Sequence, residues 1–225
     1  MSVVNPRRSY RSPRREEQAA RTRLEIVEAA GRLFRKRGYA ATSMPQVAAE
    51  AGVVVETVYR AFGSKAALFR AVMEALLAGG PTRAGVSVEE RPAIKAVIEE
   101  PDPRRQVERY VATQPGIHRR SGPLLRALRG SVDTDPELAA LWDEMEAWRL
   151  HGQGRFVTML ADRGSLRPGL DPDEARDIVW TLCSLMVHDS LVVERGWSSE
   201  RYQAWLASML IDQLLPPELL PPEPG

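Results

Sequence analysis

The stretch MPQVAAEAGVVVETVYRAFG, residues 44–63, constrains this chain more than any other, because its apolar positions fit two short helices crossing steeply. Val47, Ala48, Ala51, Val53 and Val58 fall where such helices must touch, and Ala48 is small enough to admit a close neighbour. Gly52 stands between them, where the chain reverses and a positive φ strains any residue but glycine. The spacing predicts a helix-turn-helix, a unit whose second helix suits the major groove of DNA.

Charge supports an anion-binding first third. Residues 1–80 hold 14 Arg and Lys against seven Asp and Glu, whereas the remainder holds 17 against 23. A basic segment followed by an acidic one predicts a module that attracts nucleic acid joined to one that does not. The single cysteine, Cys183, excludes an intrachain disulfide and fits a reducing cytosol. No window approaches the roughly 20 apolar residues of a membrane-spanning helix. The N-terminal arginines (Arg7, Arg8, Arg11, Arg14, Arg15) lack the apolar run an export signal needs, so a cytoplasmic protein is expected.

Every periodic segment is helical, and no alternation argues for a sheet, so the fold class is all-α. Residues 1–16, rich in Arg, Ser and Pro, read as a disordered basic arm. A helix is predicted from Gln18 to Arg37, ending on basic residues and Gly38. Thr42 and Ser43 cap the next helix, whose first turn holds Pro45. The third runs Val54–Ala61, and the fourth, capped by Ser64, reaches Ala78. Residues 17–63 thus form the DNA-binding domain and 64–80 the connecting helix. Residues 81–215 form a helical domain, with a short helix near Ala93–Glu99. Longer ones are predicted at Arg104–Arg119, Pro123–Val132, Pro136–Arg163, Pro172–Arg195 and Ser199–Leu215. The tail, residues 216–225, reads as extended and mobile.

The segment TSMPQVAAEAGVVVETVYRAFGSKAALFRAV, with LFRKRGYAATS before it, resembles the DNA-binding domain of TetR-type (tetracycline-repressor-like) bacterial regulators. The resemblance covers Ala20 to Ala78 and rests on Phe34, Gly38, Ala48, Ala51-Gly52-Val53, Tyr59, Phe62 and Ser64-Lys65 in fixed register. The rest resembles, more loosely, the effector and dimerisation domains of actinobacterial members, through ALRG, DPELAALW, RGSLRPGL and ERGWSSERYQAWL. It implies a dimeric regulator of transcription, a repressor released from double-stranded operator DNA by a small molecule, with no cofactor, metal or membrane partner. The alternative is a helical small-molecule-binding protein whose DNA-binding unit is vestigial.

Thr42 and Ser43 combine hydroxyls with the free N–H groups of a helix start, a fit to phosphate. Tyr59 and Lys65 lie where family members touch the DNA backbone. Val54, Val55, Glu56, Thr57 and Arg60 are the candidates to meet base edges. The family usually has Ser or Thr where this chain has Val54, and a small residue where it has Glu56. The resemblance places the dimer interface on the last two helices, with Trp180, Cys183, Val187, His188 and Leu191 on one and Trp205, Leu206 and Met209 on the other. It places a ligand pocket among the middle helices, where Trp142, Met145, Trp148, Arg149, His151 and Phe156 supply bulk. Gly152 and Gly154 weaken that long helix and mark a kink or a close approach.

Catalytic chemistry finds no support. His118, His151 and His188 are far apart in sequence, and Cys183 has no neighbouring metal ligand. His118 is expected exposed at a helix end. His188 and Asp189, adjacent on a helix, point about 100° apart and are not expected to pair. No phosphate-cradling loop or nucleophile elbow is present, so the chain is not expected to be an enzyme.

Overall fold

The computed structural model describes residues 13–133 and 135–217. All regular structure among them is helical: α1 (Pro13–Arg37), α2 (Met44–Ala51), α3 (Val55–Phe62), α4 (Lys65–Ala78), α5 (Pro81–Ala84), α6 (Pro92–Ile98), α7 (Pro103–Arg129), α8 (Pro136–Asp162), α9 (Pro172–Leu182), α10 (Leu185–His188) and α11 (Ser199–Leu214), with a π-helical turn at Asp189–Glu194. The all-α expectation holds. The chain divides into two compact units between Val72 and Met73, inside α4.

In the first unit the aromatic rings set the core. Phe34 on α1, Tyr39 in the following turn and Phe69 on α4 form a triangle with centroid separations of 5.3–5.6 Å. All three are buried, together with Ile26, Ala30, Val47, Ala48, Val58 and Phe62. Ser43 caps α2, as the sequence predicts, and does so through a reciprocal capping box with Gln46. Gly52 ends it at φ 68°, donating to the Ala48 and Ala49 carbonyls. Arg32 pairs with Glu50 at 3.0 Å, holding α1 to α2. Arg23 donates to the Ala61 carbonyl at 2.5 Å and lies over the Phe62 ring, holding α1 to the end of α3.

The second unit packs α7 against α8 and α11, and α9 against α8 and α11. Val107, Tyr110, Val111, Phe156, Val157, Leu160, Val179, Cys183, Tyr202, Leu206 and Leu210 share its core. Tyr110 and Phe156 stack at 3.8 Å with planes 5° apart. Glu100 is a buried carboxylate held by Arg109 at 2.7 Å and Arg105 at 3.5 Å.

Three segments depart from expectation. α1 starts at Pro13, so residues 13–16 of the expected arm are helical, opened by a proline suited to a first turn. The arm's Arg7, Arg8 and Arg11, and residues 218–225 of the expected tail, lie outside the described residues. α7 is one helix rather than two, with Pro115 and Pro123 inside it. Its buried stripe, Val107, Tyr110, Val111, Gln114, His118, Ser121, Leu124 and Leu128, outweighs the hydrogen bonds the prolines remove. The helix expected over Pro172–Arg195 breaks at Cys183, because Ser184 acts as a new N-cap, accepting from the Val187 N–H at 3.2 Å. α8 runs unbroken through Gly152 and Gly154. A Cβ at Gly154 would sit 3.4 Å from Arg176 Cδ, so this glycine admits α9.

Phe34→Ala removes the shared ring of the triangle and should destabilise the first unit by about 3–5 kcal/mol, read as a lower urea midpoint for the loss of helicity.

Candidate nucleic-acid interface

The helix-turn-helix is α2 and α3, joined by Gly52, Val53 and Val54. α3 buries Val58 and Phe62 and leaves Val54, Glu56, Tyr59 and Arg60 exposed, with Val55 and Thr57 half-buried. Tyr59 is 50% exposed and Val54 66%, unusual values for an aromatic and a β-branched side chain next to a tight core. Arg60 Nη2 donates to Thr57 Oγ1 at 3.3 Å, so two of the residues expected to meet base edges sit together on one face. A guanidinium aimed beside a hydroxyl suits a guanine edge or a phosphate.

The start of α3 has no side-chain cap. Val54 adopts the extended N-cap conformation, φ −76° and ψ 148°, but carries no acceptor. The first amides of α3 therefore rely on solvent or on an anion. Ser43 is exposed at the start of α2, next to Gln46, whose side chain accepts from the Ser43 N–H at 2.9 Å. Gln46 belongs with Ser43 at this surface, and the S-x-x-Q spacing was the signal for it.

Two expected phosphate contacts are placed differently. Thr42 is buried, and its hydroxyl donates to the Gly38 carbonyl at 2.8 Å, so it fixes the turn rather than offering itself to DNA. The sequence could not separate it from Ser43, since both hydroxyls precede the same helix. Lys65 places its Nζ 3.3 Å from the Tyr39 carbonyl and 4.1 Å from the Tyr39 ring centre. One ammonium proton is thus engaged within the unit, leaving others for a phosphate.

In the second unit, the residues expected to line a pocket differ in burial. His151 faces solvent, Met145 and Phe156 are buried, and Trp142 and Trp148 are half-buried. Arg149 instead reaches α9: it pairs with Glu146 at 2.5 Å, donates to the Trp180 carbonyl at 2.6 Å and covers the Trp180 ring at 4.4 Å. An open groove of about 480 Å³ between α7 and α11 is lined by Arg104, Glu108, Glu200, Gln203, Ala204, Ala207, Ser208, Ile211 and Asp212, none of them expected.

The expected dimer face is partly corrected as well. Cys183 and Leu206 are core residues of the unit itself, and burial pushes the Cys183 thiol up to about 12. Trp180, Val187, Leu191, Trp205 and Met209 remain half-buried, beside the exposed Met186 and Val193. His188 lies inside. It packs on His118 with ring centroids 4.5 Å apart, and its Nδ1 is 3.0 Å from Asp189 Oδ1. Both contacts overturn expectation: His118 is buried rather than exposed, and the His188–Asp189 pair forms where helical winding turns from α to π. Burial and the neighbouring His188 lower His118 to about 3. Among the described residues no three His, Cys, Asp or Glu side chains gather as a metal would require, and no helix is long and apolar enough to cross a membrane.

Residues 26–72 match the sequence profile of the family described as "Bacterial regulatory proteins, tetR family". The HTH-type transcriptional regulator TtgR of Pseudomonas putida is 43% identical over 63 residues, which are 28% of this chain and 30% of that protein. The chain thus aligns with less than a third of this relative's length. By fold it resembles SmeT, solved as a triclosan complex, with a TM-score of 0.66 at 17% identity, over 91% of this chain and 96% of that one. It also resembles NalD of Pseudomonas aeruginosa, the secondary repressor of the MexAB-OprM multidrug efflux pump, with a TM-score of 0.60 at 22% identity, over 88% and 98%. Residues 26–72 thus match a TetR-type helix-turn-helix, and the all-α fold resembles that of solved structures described as TetR-family transcriptional regulators.

Val54→Ser should supply the missing cap and raise the stability of the first unit by about 0.5–2 kcal/mol, measured by urea denaturation. His118 gives the second unit a pH dependence of definite sign. The unfolded histidine takes up a proton below about 6.5, whereas the folded one resists until about 3. Its contribution is therefore complete above pH 6.5 and is lost as pH falls towards 3, by at most about 1.4 kcal/mol per pH unit. Denaturation midpoints between pH 7 and 4 should show this slope, and His118→Gln should flatten it.

Proposed function

We propose that this protein is a sequence-specific DNA-binding regulator of transcription, acting as a dimeric repressor that a small molecule releases from its operator. The observation that carries the reading is the helix-turn-helix with α3's apolar side buried and Tyr59, Arg60 and Thr57 grouped on its outer side. Ser43, Gln46, Tyr59 and Lys65 hold the phosphates, Arg60 and Thr57 meet base edges, and Val55 offers apolar contact to a thymine methyl. Val54 and Glu56 contribute little grip, so the operator is chosen mainly through Thr57 and Arg60.

A single unit contacts one half-site, and two-fold dimers match successive major grooves roughly 34–36 Å apart. Dimerisation runs through the half-buried and exposed residues of the α9–α10 region and α11: Trp180, Met186, Val187, Leu191, Trp205 and Met209. An effector favours a dimer with the wrong spacing, which is release by population shift. The fold neighbour SmeT is described in complex with triclosan, which supports a small-molecule ligand here. The protein acts in the cytoplasm and is not an enzyme.

The uncapped start of α3 favours a second reading, a ligand-binding protein whose DNA-binding unit is vestigial. Electrophoretic shift of the DNA flanking its own gene decides between the two: a repressor binds it, with affinity falling as salt rises. In the same assay Arg60→Ala with Tyr59→Phe should weaken binding by at least about tenfold while the dimer mass by light scattering stays constant. Undiminished binding would show that another face meets DNA.

A further inference from the structure

The start of α1 is a stretch that the first unit leaves without a packed neighbour. From Arg14 to Arg21 every residue is exposed, over two turns of helix, and the first buried side chain is Ile26. A short helix with no packed face is marginal in water by itself. This one rides on the packed remainder of α1 and takes its direction from it.

That direction is fixed against α3. Arg23 donates to the Ala61 carbonyl at 2.5 Å and its guanidinium covers the Phe62 ring at 4.1 Å, so α1 passes the end of α3 at this residue. Arg15 stands two turns earlier, about 12 Å along the axis. The overhang therefore reaches past the end of α3 instead of lying on the core.

Steps of four along α1 sort its charges. The row Arg14, Gln18, Thr22 continues into Ile26, and the row Arg15, Ala19, Arg23 continues into Val27, both of them buried. Arg14 and Arg15 thus extend the side of α1 that faces the unit, and neither row holds a carboxylate. Neither arginine has an ion-pair partner among the described residues. Glu17 begins a third row, nearly opposite Arg15, that runs through Arg21 and Glu25, which pair at 3.1 Å. Glu16 stands in the first turn, where the helix dipole favours an anion. Ahead of these residues the sequence adds Arg7, Arg8 and Arg11, and residues 1–15 contain no Asp or Glu.

Positive charge without counter-charge suits a polyanion. The helix beside it supplies little, since Arg60 is the one basic residue of α3 and Glu56 is acidic. A helix seated in a major groove, about 12 Å wide, has a phosphate strand and then a minor groove beyond its end. A basic segment that leaves the reading unit at that point meets both.

We propose that Arg14 and Arg15, with the arginines ahead of them, form a second DNA contact, holding the phosphates that border the minor groove next to the major groove entered by α3. The contact rests on the reading of α3 as the helix that meets DNA. It supplies the sequence-independent grip that Val54 and Glu56 do not.

The test compares the full chain with two double variants on the duplex flanking its own gene: Arg14→Gln with Arg15→Gln, which is neutral, and Arg14→Lys with Arg15→Lys, which keeps the charge. Affinity is followed from about 50 to about 200 mM salt, together with hydroxyl-radical footprints. The neutral variant should bind at least about tenfold more weakly and lower the slope of log affinity on log salt by about two per protomer, since each lost phosphate contact removes about 0.9. Its footprint should lose protection in the minor groove beside the half-site. The lysine variant should keep both the slope and the footprint, because a phosphate accepts a point charge as well. Melting temperatures should match the wild type in both. An unchanged slope or footprint in the neutral variant, or a lysine variant that loses them equally, overturns the proposal and leaves the regulator reading standing. A lowered melting temperature in the neutral variant also overturns it, since the arginines then serve the fold. Wild-type protein that binds no duplex at any salt removes the regulator reading, and this contact with it.

Discussion

The helix-turn-helix of the first unit depends on the ring triangle of Phe34, Tyr39 and Phe69. These rings come from the end of α1, the turn after it and the middle of α4, so their contact joins segments that local propensity alone would leave independent. Tyr39 matters beyond its own burial. Its carbonyl accepts from the Thr42 N–H and from Lys65, and its ring lies under the Lys65 ammonium. The turn that carries Ser43 to the surface is therefore fixed by the same residue that fills the core. Because α2 starts after Ser43 and packs against α3, with Val47, Ala48 and Val58 buried, the outward face of α3 inherits its position from this packing.

The second unit solves a different problem. It accepts prolines inside a long helix, a break in the middle of another and several buried polar side chains, among them Gln106, Gln114, His118 and Gln153. Gln106 donates to the Val97 carbonyl at 3.0 Å, which joins α6 to α7. A core tuned only for stability would carry fewer such groups, since each must find a partner or weaken the fold. Of these side chains His118 lies where α7, α10 and α11 meet, beside the π turn.

Much of the first unit was legible in the sequence because its signals are local. Capping residues, a glycine at a reversal and apolar steps of three and four act within a few residues of one another; α2 starts after Ser43 as expected, and α3 and α4 lie within a residue of their predicted bounds. Of the candidate contacts, Ser43, Tyr59 and Arg60 are exposed and Thr57 is half-buried. Thr42 diverges because its partner, a carbonyl one turn back, is not encoded by spacing, nor is the contact of Lys65 with a carbonyl and ring 26 residues away.

The same distinction holds for the chain as a whole. The sequence by itself determined an all-α fold, a helix-turn-helix at its N-terminal end and an α3 lacking a hydroxyl cap, since helical period, glycine placement and side-chain chemistry are properties of short windows. Only the tertiary structure decided that α7 stays whole through two prolines, that Cys183 and Leu206 belong to the core, and that His118 meets His188 and Tyr202. Those outcomes depend on burial shared between residues some 70–84 positions apart, and no local pattern records which distant side chain will take the place of water.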